Sequence, residues 1–202
     1  MPQTKTLERT FLRQIIFASC LIALAMFVGA CSKGAGGGSM QLKSPATGDK
    51  DMPVKSGYAF AVTKTFTDTA NKISTAPSYR VYAANYDLDA GNFAMTLDKS
   101  LTSDEQVRVV FSLVGDQGGN EKTAAKAGTY EAKADKFMKV EDVVIVSRKG
   151  GADNKGWLDR STLTGEAKVT SVSGDTITGE VDLSSGATSI KGPFTAKILV
   201  RK

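Results

Sequence analysis

The chain has 202 residues, 41% hydrophobic and 23% charged, with 26 Lys+Arg against 21 Asp+Glu, two Cys and no His. That length holds one domain of ordinary size plus additional segments. Without histidine there is no Ser-His-Asp triad, Cys-His pair, imidazole zinc site or imidazole proton shuttle, and two cysteines exclude a disulfide-dense scaffold and a thiolate metal cluster.

Composition changes near residue 30. The first 30 residues contain 18 apolar side chains, three basic ones and one acidic one, so the rest of the chain carries a net charge of only +3. So mild a basicity is poor ground for a nucleic-acid partner, and none is expected. Lys5, Arg9 and Arg13 precede an uncharged run from Ile15 to Ala30. A basic region, an apolar region and then small residues is the order a secretory signal requires. The run is 16 residues, short of the ~20 that form a permanent membrane span.

The run ends in Val28-Gly29-Ala30-Cys31. This tetrapeptide resembles the lipobox of bacterial lipoproteins: an aliphatic residue, two small residues and a cysteine. The resemblance implies that Val28, Gly29 and Ala30 are read by a dedicated signal peptidase. It implies further that Cys31 receives a diacylglyceryl group on its thiol and commonly an acyl chain, such as palmitate, on its freed amine. Several acyl chains anchor stably where one is marginal. Ser32 at the second mature position, in place of the Asp that retains lipoproteins at the inner membrane, implies the cell outer membrane facing the periplasm or exterior in a Gram-negative host. In a Gram-positive host it implies the outer face of the plasma membrane. Cys20 lies inside the apolar run and leaves with the leader, so no disulfide forms in the mature chain.

Three segments are expected: a signal peptide over 1–30, a flexible tether over 31–55 and a β-sandwich domain over 56–202. Gly34-Ala35-Gly36-Gly37-Gly38-Ser39 is linker composition, and Ser44 to Asp51 continues without periodicity. A coil from Cys31 to Val54 reaches roughly 25–30 Å.

From Ser56 onward the pattern has period two. Tyr58-Phe60-Val62, Tyr79 to Tyr86, Phe93-Met95-Leu97, Val107 to Leu113, Tyr130-Ala132-Ala134, Val143 to Val146, Ala167-Val169, Ile177 to Leu183 and Phe194 to Val200 read as strands. Val143 to Val146 reads as covered on both faces. Gly, Asp, Asn and Ser cluster between these segments. About nine short strands define an all-β fold, an antiparallel sandwich or barrel with at most one short helix. That helix falls at Asn120 to Ala127, capped by Asn120 and stopped by Gly128. For the hairpin around Gly174-Asp175, a two-residue turn sets Val169 against Glu180. A three-residue loop, Gly174-Asp175-Thr176, sets Val169 against Val181 and Ala167 against Leu183, and is preferred for its single apolar face.

Chemistry-bearing patterns are sparse. Asp87 to Asp98 has the length of a calcium loop, but Gly91 stands one position early and a glycine-terminated turn explains the residues without a metal. No cofactor or metal is expected. Neither Ser-x-x-Lys nor Gly-x-Ser-x-Gly occurs, and no pair of acids stands out from a solvated surface. The single Trp157 lies in what reads as a long loop, Gly150 to Arg160. Exposed, it is a contact for a protein or glycan partner; the plainer reading folds it over the core edge.

Together these features indicate a non-catalytic, lipid-anchored envelope module that binds a protein or glycan or serves structurally. The alternative is a carrier of a small hydrophobic or sugar ligand in a barrel cavity. Inward small residues such as Ala59, Ala61, Ala83, Ala84, Ala94, Ala132 and Ala134 would leave room for such a ligand.

Overall fold

A computed structural model describes residues 37–45 and 47–200. The chain divides into two units, Met1–Ser32 and Lys33–Lys202, and the described residues belong to the second. The expected signal peptide and the Val28-Gly29-Ala30-Cys31 site lie outside them.

Among the described residues the fold is all-β, with eleven strands: β1 Ser39–Lys43, β2 Lys50–Pro53, β3 Ser56–Thr67, β4 Ile73–Ala84, β5 Val107–Val114, β6 Gly128–Glu131, β7 Lys139–Lys149, β8 Ala152–Trp157, β9 Thr164–Ser173, β10 Thr176–Ser185 and β11 Thr188–Leu199. Eight close into a barrel in the order β3-β4-β5-β7-β6-β9-β10-β11. The closing contact, β11 to β3, is parallel and three residues long, Lys197–Leu199 beside Tyr58–Phe60. Closure pairs main-chain edges that an open sheet would expose. Of the two architectures open from sequence, the barrel is the one formed.

The odd-numbered residues of β4 and β5, Tyr79, Val81, Ala83, Val107, Val109, Phe111 and Leu113, point inward. Across the barrel they meet β10 and β11, where Phe194 sets its ring edge-on to Phe111 at 5.2 Å and 81°. The even-numbered residues Tyr82, Ala84 and Val110, with Val144 and Val146 of β7, form a second apolar cluster outside the wall. Segment 85–106 covers it through Leu88, Leu97 and Leu101. Hence β5 is buried at all eight positions, and Val143 to Val146 is covered on both faces as expected.

Several expectations need correction. The tether does not run to residue 55. β1 and β2 lie inside it, and Met40, Leu42, Met52 and Val54 are buried in the barrel core. Two four- to five-residue strands rich in Lys and Asp carry too few apolar positions to show a period. Phe93-Met95-Leu97 is not a strand; Phe93–Thr96 forms a single helical turn, α1. Phe93 and Leu97 satisfy i,i+4 as well as period two, and Met95 between them is 72% exposed. Asn120 to Ala127 is not helical either. Asn120 caps one turn, its Oδ1 accepting from the Lys122 N–H at 2.9 Å, and the chain then runs without regular structure to β6.

The β9–β10 hairpin has the shorter turn. Ser173 pairs with Thr176 around Gly174-Asp175, and a β-bulge leaves Thr170 unpaired, so Val169 meets Gly179 and Ala167 meets Val181. Gly174 at the first central position takes φ 57°, the glycine-first pattern of a type II′ turn. The bulge shifts register by one residue. That shift restores the single apolar face which the two-residue turn alone would have broken.

Candidate functional site: the barrel mouth and its strap

The chain between β5 and β6, residues 115–127, crosses one end of the barrel as a strap. Its start is tied to β4: Gly115 and Gly118 donate to the carbonyls of Pro77 and Thr75, at 2.8 and 2.7 Å. A Cβ on Gly119 would stand 2.6 Å from Pro77 Cδ, so only glycine lets the strap lie this close. Its middle hangs from two tyrosines of the wall. Tyr79 donates its hydroxyl to the Thr123 carbonyl, and Tyr130 donates to the Lys126 carbonyl at 2.9 Å. Burial pushes the Tyr79 hydroxyl up to about 12, with a smaller push from Tyr130, and burial raises Tyr130 as well. Both therefore remain neutral donors at physiological pH. An ion pair between Lys126 and Asp116, 2.7 Å long, ties the strap to itself.

Two clefts open on either side of the strap. The larger, about 600 Å³, lies between β3, the end of β11 and residues 121–125. The smaller, about 450 Å³, lies between Pro77, the Gly115–Gly119 turn and Tyr130. Both shelve against Tyr79. Barrel mouths are common binding places because side chains and loops converge there around an apolar floor.

The interior beneath is filled. Phe111, Phe194, Tyr79 and Tyr130 are each no more than 2% exposed. Ala59, Ala83 and Ala132 do face the core, but inside the same buried cluster as these rings. Ala84 belongs to the outer cluster, and Ala134 is half-buried beyond the end of β6.

The residues singled out from sequence are not brought to this mouth. Trp157 ends β8, opposite Val144, and is 57% exposed. It does not fold over the core, and its segment is the second strand of the β7–β8 hairpin and not a loop. In the Asp87–Asp98 segment, Asp89 accepts from the Gly91 N–H at 3.0 Å and from Lys99 at 3.2 Å. These bonds, the Gly91 amide first, hold its carboxyl below the usual range. Among the described residues no three acids or cysteines gather as a metal site. Sequence reasoning missed the strap because its anchors, Tyr79 and Tyr130, read as ordinary inward strand residues. Their hydroxyls were the available signal, since a buried tyrosine seeks an acceptor.

A β-barrel with clefts at its mouth is compatible with a ligand-binding or a structural module. Comparison of the chain with protein-family models, with curated proteins and with solved structures gives no match in any of the three.

Proposed function

We propose that the chain is a lipid-anchored cell-envelope module that binds a partner through its outer surface and catalyses no reaction. The observation that carries the binding half is the filled interior. With Phe111 and Phe194 packed edge-on in the barrel centre, binding capacity lies at the mouth and on the wall, which favours a surface binder over a carrier with an enclosed cavity. The anchor half rests on Val28-Gly29-Ala30-Cys31 and the uncharged run before it. A chain without histidine lacks the commonest general base, and no three of the described acids gather in one site. The mature charge balance favours a protein or glycan partner over nucleic acid.

The test is metabolic labelling with an alkyne-bearing palmitate in cells expressing the full chain. The wild type should take the label and partition into the detergent phase, and Cys31→Ser should do neither. Equal labelling of the variant overturns the anchor. If the anchor holds, fractionation assigns the protein to the outer membrane or to the plasma membrane, with Ser32→Asp expected to shift it inward in a Gram-negative host.

A further inference from the structure

The chain between β4 and β5, residues 86–106, leaves the barrel wall and returns to the point it left. Its neck is closed by Asn85, whose N–H donates to the Val107 carbonyl at 3.2 Å. The Asn85 side chain accepts from the Val107 N–H at 2.8 Å and donates to the Glu105 carbonyl at 2.9 Å. A loop whose ends are joined in this way can open as one body without disturbing the strands that carry it. The segment lies as a flap on the outer face of the wall, where Leu88, Leu97 and Leu101 cover Tyr82, Val110 and Val144.

Flap and wall are opposite in charge. Residues 86–106 hold five acids and one lysine, and around the covered face stand Lys55, Arg80, Arg108 and Arg148, with Asp153 beside Arg148. Asp87 pairs with Lys55 at 3.0 Å, while Asp98 and Asp104 reach Arg80 and Arg148 only at 3.9 Å. All three flap carboxylates are largely exposed, so these pairs hold weakly. Main-chain groups are recognised as well. Arg108 and Arg148 donate to the carbonyls of Lys99 and Leu101 at 3.0 and 2.6 Å, and Leu101 donates its N–H to Asp153 at 3.2 Å. Arg108 is 2% exposed, its Nε has no partner, and no carboxylate pairs with it among the described residues. A guanidinium buried without a counter-charge is costly, and lifting the flap returns it to water.

We propose that residues 86–106 are a flap that shuts a binding face, and that the open face receives an acidic segment of a partner protein with spaced apolar side chains, for which the flap stands in. The flap itself argues the occupant: its leucines fill the apolar floor, its acids meet the arginines, and its main chain bonds Arg108, Arg148 and Asp153. An anionic lipid would satisfy the arginines but has no main-chain amide for Asp153, which is why the occupant is a peptide. This inference rests on the surface-binding reading given above.

The amides of Leu88, Leu97 and Leu101 are each hydrogen-bonded, so their hydrogen exchange reports the flap. In the full chain in detergent micelles they should exchange together, at least tenfold faster than those of β5. Replacing 86–106 by Asn-Gly links Asn85 to Val107 through a two-residue hairpin turn. That variant, with β5 still protected, should bind a synthetic peptide of residues 86–106 at least tenfold more tightly than the full chain does. Leu97→Asp, which loosens the flap at full length, should bind it tenfold more tightly too, so the test does not depend on the shortened chain folding. A peptide with its five acids changed to Asn and Gln should bind about tenfold more weakly. Flap amides that exchange only with β5 overturn the proposal. So does an opened chain that ignores the acidic peptide or takes the neutral one equally. Displacement of the peptide by phosphatidylglycerol added to the micelles overturns it as well, because the occupant is then a lipid surface. Opening is read apart from binding, and neither involves Cys31, so a failed flap, a failed binding face and a failed anchor are separate results.

Discussion

Gly179 of β10 lies opposite Phe194 of β11, and a Cβ on Gly179 would stand 2.9 Å from two carbons of that ring. It would also collide with the Lys168 carbonyl of β9. The glycine is what lets Phe194 lie over the wall and reach Phe111. Gly179→Val should cost about 3 kcal/mol by overpacking, a fall in Tm of roughly 6–12 °C for a domain of this size. A thermal melt of the variant checks it; an unchanged Tm would show that Phe194 does not occupy this position.

The two tyrosines beneath the strap make separable contributions. Tyr79→Phe and Tyr130→Phe each remove one hydroxyl and leave the ring. Each should cost about 1 kcal/mol, the net worth of one hydrogen bond. The loss should be local, with amides of residues 120–127 exchanging faster while those of β5 keep their protection. Uniform acceleration throughout the barrel would contradict the strap as a separately opening unit.

The same burial makes stability fall in alkali. Tyr79 titrates near 12 in the folded chain against an ordinary value of 10.0, and Tyr82, Tyr86 and Tyr130 are shifted in the same direction by burial. A raised folded value means that the unfolded chain loses these protons first. The stabilisation is complete below pH 10 and declines as pH rises from 10 through 12. Urea midpoints measured across that window should fall for the wild type. The fall should be shallower for Tyr79→Phe, and a flat profile would refute the shift.

Much of this architecture was legible because a barrel wall obeys period two. Val107, Val109, Phe111 and Leu113 recur at every second position, and the interior uses just those residues. Legibility ended where two solutions share one pattern. Phe93 and Leu97 fit a strand or a helical turn, and the coverage of the outer face by segment 85–106 decided for the turn. The β9–β10 register depended on the bulge at Thr170, a main-chain feature with no side-chain signature. The mouth was hidden for another reason. It is assembled from Tyr79, Thr123 and Tyr130, which no local pattern joins.

The N-terminal hairpin gives the sharpest contrast between what composition implies and what packing uses. Residues 34–39 and 44–51 read as one continuous linker, yet Met40, Leu42 and Met52 are no more than 1% exposed. β1 pairs with β11 through Leu42↔Ile190. A Cβ on Gly192 would come within 3.0 Å of Met40 Cα, so β11 carries glycine where β1 crosses it. Leu42→Ala should therefore cost about 2–5 kcal/mol, as for a core leucine. Deleting 39–53 should destabilise the barrel further than Leu42→Ala. If Leu42→Ala and the 39–53 deletion were both neutral, the hairpin would be part of the tether and the core would begin at β3.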